Sequence, residues 1–274
     1  MTILDTILDA TRTTVERRRS KVPLRALEDA PGFARTPFDG AQALRRTDDQ
    51  GRAEIAFIAE SKKRSPSKGL LRPDYDAAAN VRAYAEAGAA VASVLTEPDF
   101  FDGAPEHLQA AREAAPLLPL LRKDFVIDVY QLAEARAWGA DLVLLIAAAL
   151  DKHALHDLLD GAKAYGLTPL VEVHDVRELD RFEVDRAPIV GVNHRDLRTF
   201  EVDLQKSPEV FRVLPPEIVR VAESGLKDAA TIADLHRAGA NAVLIGETFM
   251  REPSPGDALR QLRADVHALL YPTD

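Results

Sequence analysis

A glycine that ends a helix and leads at once into an aliphatic run recurs four times in this chain, and few folds accommodate such a repeat. The copies read YAEAGAAVASVLTEP at 84–98, ARAWGADLVLLIA at 135–147, AKAYGLTPLVEVH at 162–174 and HRAGANAVLIGE at 236–247. Gly88, Gly139, Gly166 and Gly239 are expected in the left-handed conformation that closes a helix. The runs that follow lack polar alternation, as expected for strands of a parallel sheet covered on both faces. Ile55–Ala59, Leu117–Leu121, Ile189–Val192 and Ile218–Ala222 supply four more runs without that glycine. Eight strand–helix units from residue 55 to 274 predict a (β/α)8 TIM barrel, an α/β fold. A doubly wound sheet is the alternative, but it has fewer strands and usually a glycine-rich loop after the first, which is missing here.

Residues 1–54 read differently. Leu4, Ile7, Leu8, Thr11 and Val15 recur at helical spacing, predicting an amphipathic helix over 2–19. Arg17, Arg18, Arg19 and Lys21 near its end suit the helix dipole and are expected to face solvent. Pro23, Pro31, Gly32 and Pro37 then break the chain before a short helix around Asp39 to Arg46. The segment has too little apolar surface to fold alone. It is expected to be a helical extension packed on a 55–274 barrel, within a single domain.

In a barrel, chemistry sits at the C-terminal strand ends. The first strand ends in Glu60 and Lys62, which share a face because side chains at i and i+2 do, and the basic turn SPSKG follows. The second strand leads to Thr96, Glu97, Phe100 and Phe101. The third ends in Arg122, Lys123, Asp124 and Phe125, and the fourth in apolar residues only. Glu172 lies inside the fifth, with His174 beyond it. Asn193, His194, Arg195 and Asp196 follow the sixth. Glu223, Ser224 and Gly225 end the seventh, and Gly246, Glu247 and Thr248 the eighth. Small residues after both of the last two strands let backbone N–H groups approach an anion, which predicts a phosphate site. Buried acids facing lysines suit proton transfer on an anionic substrate, and Lys123 can also be read as a Schiff-base nucleophile.

Several classes are disfavoured. The chain has no cysteine, which removes disulfides and thiol chemistry, and its formal net charge of −9 argues against nucleic acid. No ligand spacing joins the histidines, so no metal is expected. No run is long enough to span a membrane and no signal-peptide core opens the chain, so a cytoplasmic protein is expected.

The motifs ESKKRSPSKG (60–69), SVLTEPDFFDG (93–103), LLRKDFVID (120–128), LVEVHD (170–175), GVNHRDL (191–197), VAESG (221–225) and LIGETFMR (244–251) together resemble the indole-3-glycerol-phosphate synthase family. The resemblance extends to the N-terminal helices. It implies a monomeric or weakly associating enzyme of tryptophan biosynthesis that uses no metal or organic cofactor. The implied reaction closes the ring of 1-(2-carboxyphenylamino)-1-deoxyribulose 5-phosphate, with loss of CO₂ and water, to indole-3-glycerol phosphate. It implies Lys123 as general acid and Glu172 with Glu60 as the later acid/base pair. Lys62, Asn193 and Arg195 would hold the carboxylate and sugar hydroxyls. Ser65, Ser224, Gly225, Gly246 and Glu247 would hold the phosphate, Phe125 and Phe101 would wall the aromatic ring, and Glu223 would complete a polar floor. Ser61, Arg64 and His194 depart from the family's usual residues. Competing readings are another phosphosugar barrel enzyme, an isomerase or Schiff-base aldolase, and a non-catalytic barrel that binds a phosphorylated metabolite.

Overall fold

The computed structural model describes residues 2–196 and 199–272; Leu197, the last residue of the GVNHRDL motif, lies outside them. Eight parallel strands close into a barrel: β1 (Ala56–Ser61), β2 (Val91–Leu95), β3 (Leu120–Lys123), β4 (Leu142–Ile146), β5 (Thr168–Val173), β6 (Ile189–Asn193), β7 (Val219–Glu223) and β8 (Ala242–Ile245). β8 pairs with β1, so no edge is left open. The expected (β/α)8 barrel is the fold observed.

The four repeated glycines do what the pattern requires. Gly88, Gly139, Gly166 and Gly239 all have positive φ. The N–H of the next residue reaches back to close each helix, as in Ala89 to Tyr84 O at 2.9 Å and Leu167 to Ala162 O at 2.8 Å. One strand–helix unit departs from the expectation. After β5 the chain makes only two 3₁₀ segments, Val176–Arg181 and Val184–Arg186. Asp175 caps Arg177, and Pro188 stands directly before β6.

Alternation along the strands sorts the core into two layers. Phe57, Ala59, Val143 and Val171 face outward beneath the helices. Ala56, Ile58, Leu121, Leu170 and Val221 fill the barrel. On β1, β3, β5, β6 and β7 the inward series ends, at the C-terminal mouth, in a polar residue, Glu60, Lys123, Glu172, Asn193 and Glu223, whereas β2 and β4 end in Leu95 and Ile146.

Four helices precede β1. α1 (Ile3–Lys21) starts with a Thr2–Asp5 capping box and buries Ile7, Leu8 and Val15. At its basic end Arg17, Arg19 and Lys21 are exposed as expected, and Arg18 is half-buried. Arg18 pairs with Glu134 at 3.5 Å and lies over the Trp138 ring, while Arg19 pairs with Asp128. These contacts dock α1 onto the helix Val129–Ala137, a tertiary partner invisible to periodicity. α2 (Leu24–Glu28) and α3 (Pro31–Ala34) lead down to α4 (Gly40–Ala43). There the extension closes the opposite end of the barrel. Leu44 is fully buried among inward residues that include Ala56 and Leu142, and a Cβ on Gly40 would overlap the Leu142 side chain. Asp141, fully buried, accepts the N–H groups of Phe38 and Leu120 at 2.8 Å each and pairs with Arg35 at 2.7 Å and with Arg112. A buried carboxylate with this many donors is satisfied rather than stranded.

Candidate active site

A cavity of about 470 Å³ opens at the C-terminal end of the strands. All fourteen site residues expected from the sequence line it: Glu60, Lys62, Ser65, Phe101, Lys123, Phe125, Glu172, Asn193, Arg195, Glu223, Ser224, Gly225, Gly246 and Glu247. Inward alternation explains the convergence. Glu60 follows Ile58 on β1, Lys123 follows Leu121 on β3, Glu172 follows Leu170 on β5, and Glu223 follows Val221 on β7.

Lys123 is the hub. Its ammonium stands 3.9 Å from Glu172 and 4.0 Å from Glu60, and Lys62 forms an ion pair with Glu60. Burial pushes the Lys123 ammonium down, but Glu172, Glu60 and Glu223 outweigh it and hold its pKa above the ordinary lysine value. Burial alone would raise the Glu60 carboxyl, yet Lys62 and Lys123 outweigh it and keep Glu60 ionised. Glu223 goes the other way. Burial and the neighbouring Glu172 push its carboxyl well above the usual range, against the pull of Lys123. Asn193 donates to Glu172 at 3.1 Å and accepts the backbone N–H of Arg195 at 3.0 Å, orienting the carboxylate from its own strand end.

Two glycines, Gly191 on β6 and Gly246 just past β8, make this crowding possible. A Cβ on Gly191 would overlap a Glu223 carboxyl oxygen, and one on Gly246 would overlap a Glu60 carboxyl oxygen. Gly246, expected from the sequence to let an anion approach the backbone, leaves room for Glu60.

Phe101 and Phe125 both line the cavity, with their rings 6.2 Å apart. Glu97 is spent on structure, accepting the N–H groups of Asp99, Phe100 and Phe101 to start the turn that carries Phe101. Arg122 points away from the cavity. It is fully buried, donates to Asp124 and Glu134, and lies over Trp138. Asp124 in turn accepts from Thr96 at 2.7 Å and from the Phe125 N–H at 2.9 Å, which fixes the turn after Lys123. The basic turn after β1 is a small antiparallel ladder, Arg64–Ser65 with Gly69–Leu70, and Lys63 and Arg64 face Asp102.

The sequence reading missed most of the apolar part of the lining. Leu95, Leu144, Ile146 and Leu244 come from the strands, Ile3, Leu4 and Ile7 from α1, and Phe200 from the loop after β6. Strand alternation could have placed the first four. The family resemblance does place the apolar face of the N-terminal helix near the mouth, and Leu4 and Ile7 of that face line the cavity, although nothing local in the sequence marks it so.

Of the histidines, His174 pairs with Glu178 at 3.5 Å. His194 is buried, with Nε2 2.7 Å from Ser207 Oγ and Nδ1 3.0 Å from the Ser224 carbonyl. It thus braces Ser224, itself at a positive φ of 68°. Burial holds the His194 imidazole below its ordinary value of 6.5, so the unfolded chain takes up this proton first. The stability it contributes is full above 6.5 and lost as pH falls through the folded value. Melting curves between about pH 5 and 8 are expected to show wild type losing stability relative to His194→Asn on acidification. A difference independent of pH would show that the imidazole titrates alike in both states. Among the described residues, no group of three or more His, Asp or Glu is placed to hold a metal ion, and no helix is long and apolar enough to cross a membrane.

The indole-3-glycerol phosphate synthase family model matches residues 4–262. The chain is 50% identical over 266 residues to the indole-3-glycerol phosphate synthase of Salinibacter ruber, covering 97% of this chain and 96% of that relative. It is 44% identical to that of Azospirillum brasilense, covering 96% and 99%. Solved structures share the fold at low identity. Thiamine phosphate pyrophosphorylase from Pyrococcus furiosus matches with TM-score 0.60 at 16% identity, over 80% of this chain and 98% of that one. A 3-hexulose-6-phosphate synthase from Salmonella typhimurium matches with TM-score 0.63 at 14%, over 77% and 98%.

Proposed function

The chain belongs to the indole-3-glycerol phosphate synthase family, and from that premise we propose how its residues divide the reaction. The substrate is 1-(2-carboxyphenylamino)-1-deoxyribulose 5-phosphate. Its ring carbon bearing the carboxylate attacks the ribulose carbonyl, CO₂ leaves to restore aromaticity, and water is then lost to give indole-3-glycerol phosphate. Lys123 donates the proton to the carbonyl oxygen as the new bond forms. Its raised pKa keeps the acid form fully populated at neutral pH, and negative charge developing on that oxygen draws the proton across. Glu60 and Glu172, on either side of Lys123, take the later proton removal and the dehydration. Lys62, Asn193 and Arg195 hold the substrate carboxylate and hydroxyls.

The observation that carries this reading is the Lys123 ammonium at 3.9 and 4.0 Å from two buried carboxyls in one cavity. An acid and two acceptors within reach of one reacting centre are what consecutive proton transfers need. Turnover of the substrate, followed by indole fluorescence, tests it; a purified protein that binds this substrate without forming the indole product would refute it.

The phosphate lies against Ser65, the Ser224–Gly225 turn and the Gly246–Glu247 corner. The two glycines differ in what a side chain would hit. At Gly225, where φ is 77°, a Cβ would strike Val202; at Gly246 it would strike Glu60. Gly225→Val is therefore expected to weaken competitive inhibition by inorganic phosphate with the smaller loss of kcat. Gly246→Val is expected to lose kcat as well. Equal inhibition constants in wild type and both variants would place the phosphate elsewhere.

The protein acts on this small phosphorylated molecule in the cytoplasm, without nucleic acid or membrane, as a monomer or weak homo-oligomer. The net charge of −9 supports the first exclusion. Residues 1–54 form a helical extension on the 55–274 barrel within one domain.

A further inference from the structure

Glu223 is the one buried acid of the floor to which the reaction above gives no proton. Its place is unusual. Glu172 on β5 is the direct register partner of Gly191 on β6. Glu223, on the far side of β6, is partnered with Asn193. Its carboxyl leans back across Gly191 into the space that a Cβ would fill. Two strands that are not neighbours thus bring their carboxyls together over a glycine. Glu172 and Glu223 are each 1% exposed, and each has an oxygen, Glu172 Oε2 and Glu223 Oε1, with no hydrogen-bond partner. Glu172 Oε2 has the Lys123 ammonium 3.9 Å away, whereas Glu223 Oε1, with no hydrogen-bond partner, is satisfied if a proton lies between the two carboxyls.

We propose that Glu172 and Glu223 share a single proton in the substrate-free site, carried by Glu223. The charges around the pair agree. Glu60 from β1 is clamped by Lys62, and Lys123 from β3 lies beside Glu172 and Glu60. Asn193 from β6 is neutral, and Arg195 turns to Glu247 at 3.8 Å. Three carboxyls against two ammonium groups balance when one carboxyl is neutral. Glu172 is the one served by Lys123 and by the Asn193 amide, so it keeps the charge and Glu223 takes the proton. The upward displacement of the Glu223 carboxyl has the same origin, burial first and Glu172 second. For the reaction proposed above, on which this consequence rests, the shared proton gives a floor of acceptors one donor for a substrate oxygen.

Infrared difference spectra of the substrate-free protein detect protonated carboxyl groups directly. Wild type at neutral pH is expected to carry one such buried group that Glu223→Gln lacks, and Glu172→Gln is expected to let it ionise at lower pH. Gly191→Ala, whose methyl group displaces the Glu223 carboxyl, is expected to do the same. Identical protonated-carboxyl bands in wild type and Glu223→Gln would overturn the proposal. Thermal melting gives an independent arm. A carboxyl whose pKa is raised on folding makes the folded state bind more protons, so stability falls as pH rises from the ordinary carboxyl range through the folded value. Glu223→Gln should escape that fall, so its melting temperature should gain on wild type as pH rises; a gap that does not change with pH would overturn the shared proton. Both arms are run without substrate. Their failure would remove the pair and leave the reaction standing, whereas failure of the turnover assay would leave the pair untouched.

Discussion

Lys123→Ala is expected to lower turnover by roughly 10²–10⁴-fold, the usual worth of a positioned acid or base. No other described group occupies its place between Glu60 and Glu172. Near-ultraviolet circular dichroism should stay native, because the surrounding strands are held by the barrel ladder and Glu60 keeps Lys62. Glu172 loses its ammonium partner, so some fall in melting temperature accompanies the loss of activity. Activity within about three-fold of wild type, less than 1 kcal/mol of barrier, would remove Lys123 from the acid role. The same residue separates this enzyme from a Schiff-base aldolase. An amine held charged between two carboxyls is a poor nucleophile, so borohydride should trap no adduct on Lys123. A trapped adduct would reverse that assignment.

The second large effect is expected far from the chemistry. Leu44→Ala should cost roughly 2–5 kcal/mol, as for other fully buried leucines, and lower the melting temperature by several degrees while kcat holds. Leu44 stops the bottom of the barrel, the end away from the cavity. A chain beginning at Arg52 loses this plug and also Arg35, one of the two cations on buried Asp141. It is expected to lose its cooperative melt. A chain lacking only 2–22 keeps the plug. It should melt cooperatively but turn over poorly, since Ile3, Leu4 and Ile7 then no longer wall the cavity and water enters. A cooperative, stable protein starting at Arg52 would show that the barrel interior closes without Leu44. Full activity without 2–22 would make α1 only a cover.

Much of the fold was legible because its signals are local. A glycine at a helix end and an unbroken aliphatic run each act within a few residues, and eight such units in order leave few architectures. The strand-end polar residues were legible for the same reason. Period-two alternation forces Glu60 and Lys62 onto one face wherever the strand lies, and all the expected site residues do line one cavity. The seven ordered motifs carried the family, which the matched relatives bear out.

What the chain could not announce in one dimension is which of these residues answer to one another. Glu97 reads as another strand-end acid, but the turn it caps takes both its oxygens. Arg122 and Lys123 are adjacent cations on one strand; the pleat sends one into a network beneath the helices and the other into the cavity. Arg18 reads as solvated until the helix Val129–Ala137 gives it Glu134 and covers it. Gly191 and Gly246 carry no label saying that an acid from another strand needs their missing side chains. The residue types and their order were determined by the sequence alone, because propensity and periodicity act over a few residues. The protonation and pairing of those residues were decided only by the closed barrel, because Coulomb and desolvation energies depend on distances and burial that exist once strands remote in sequence stand side by side.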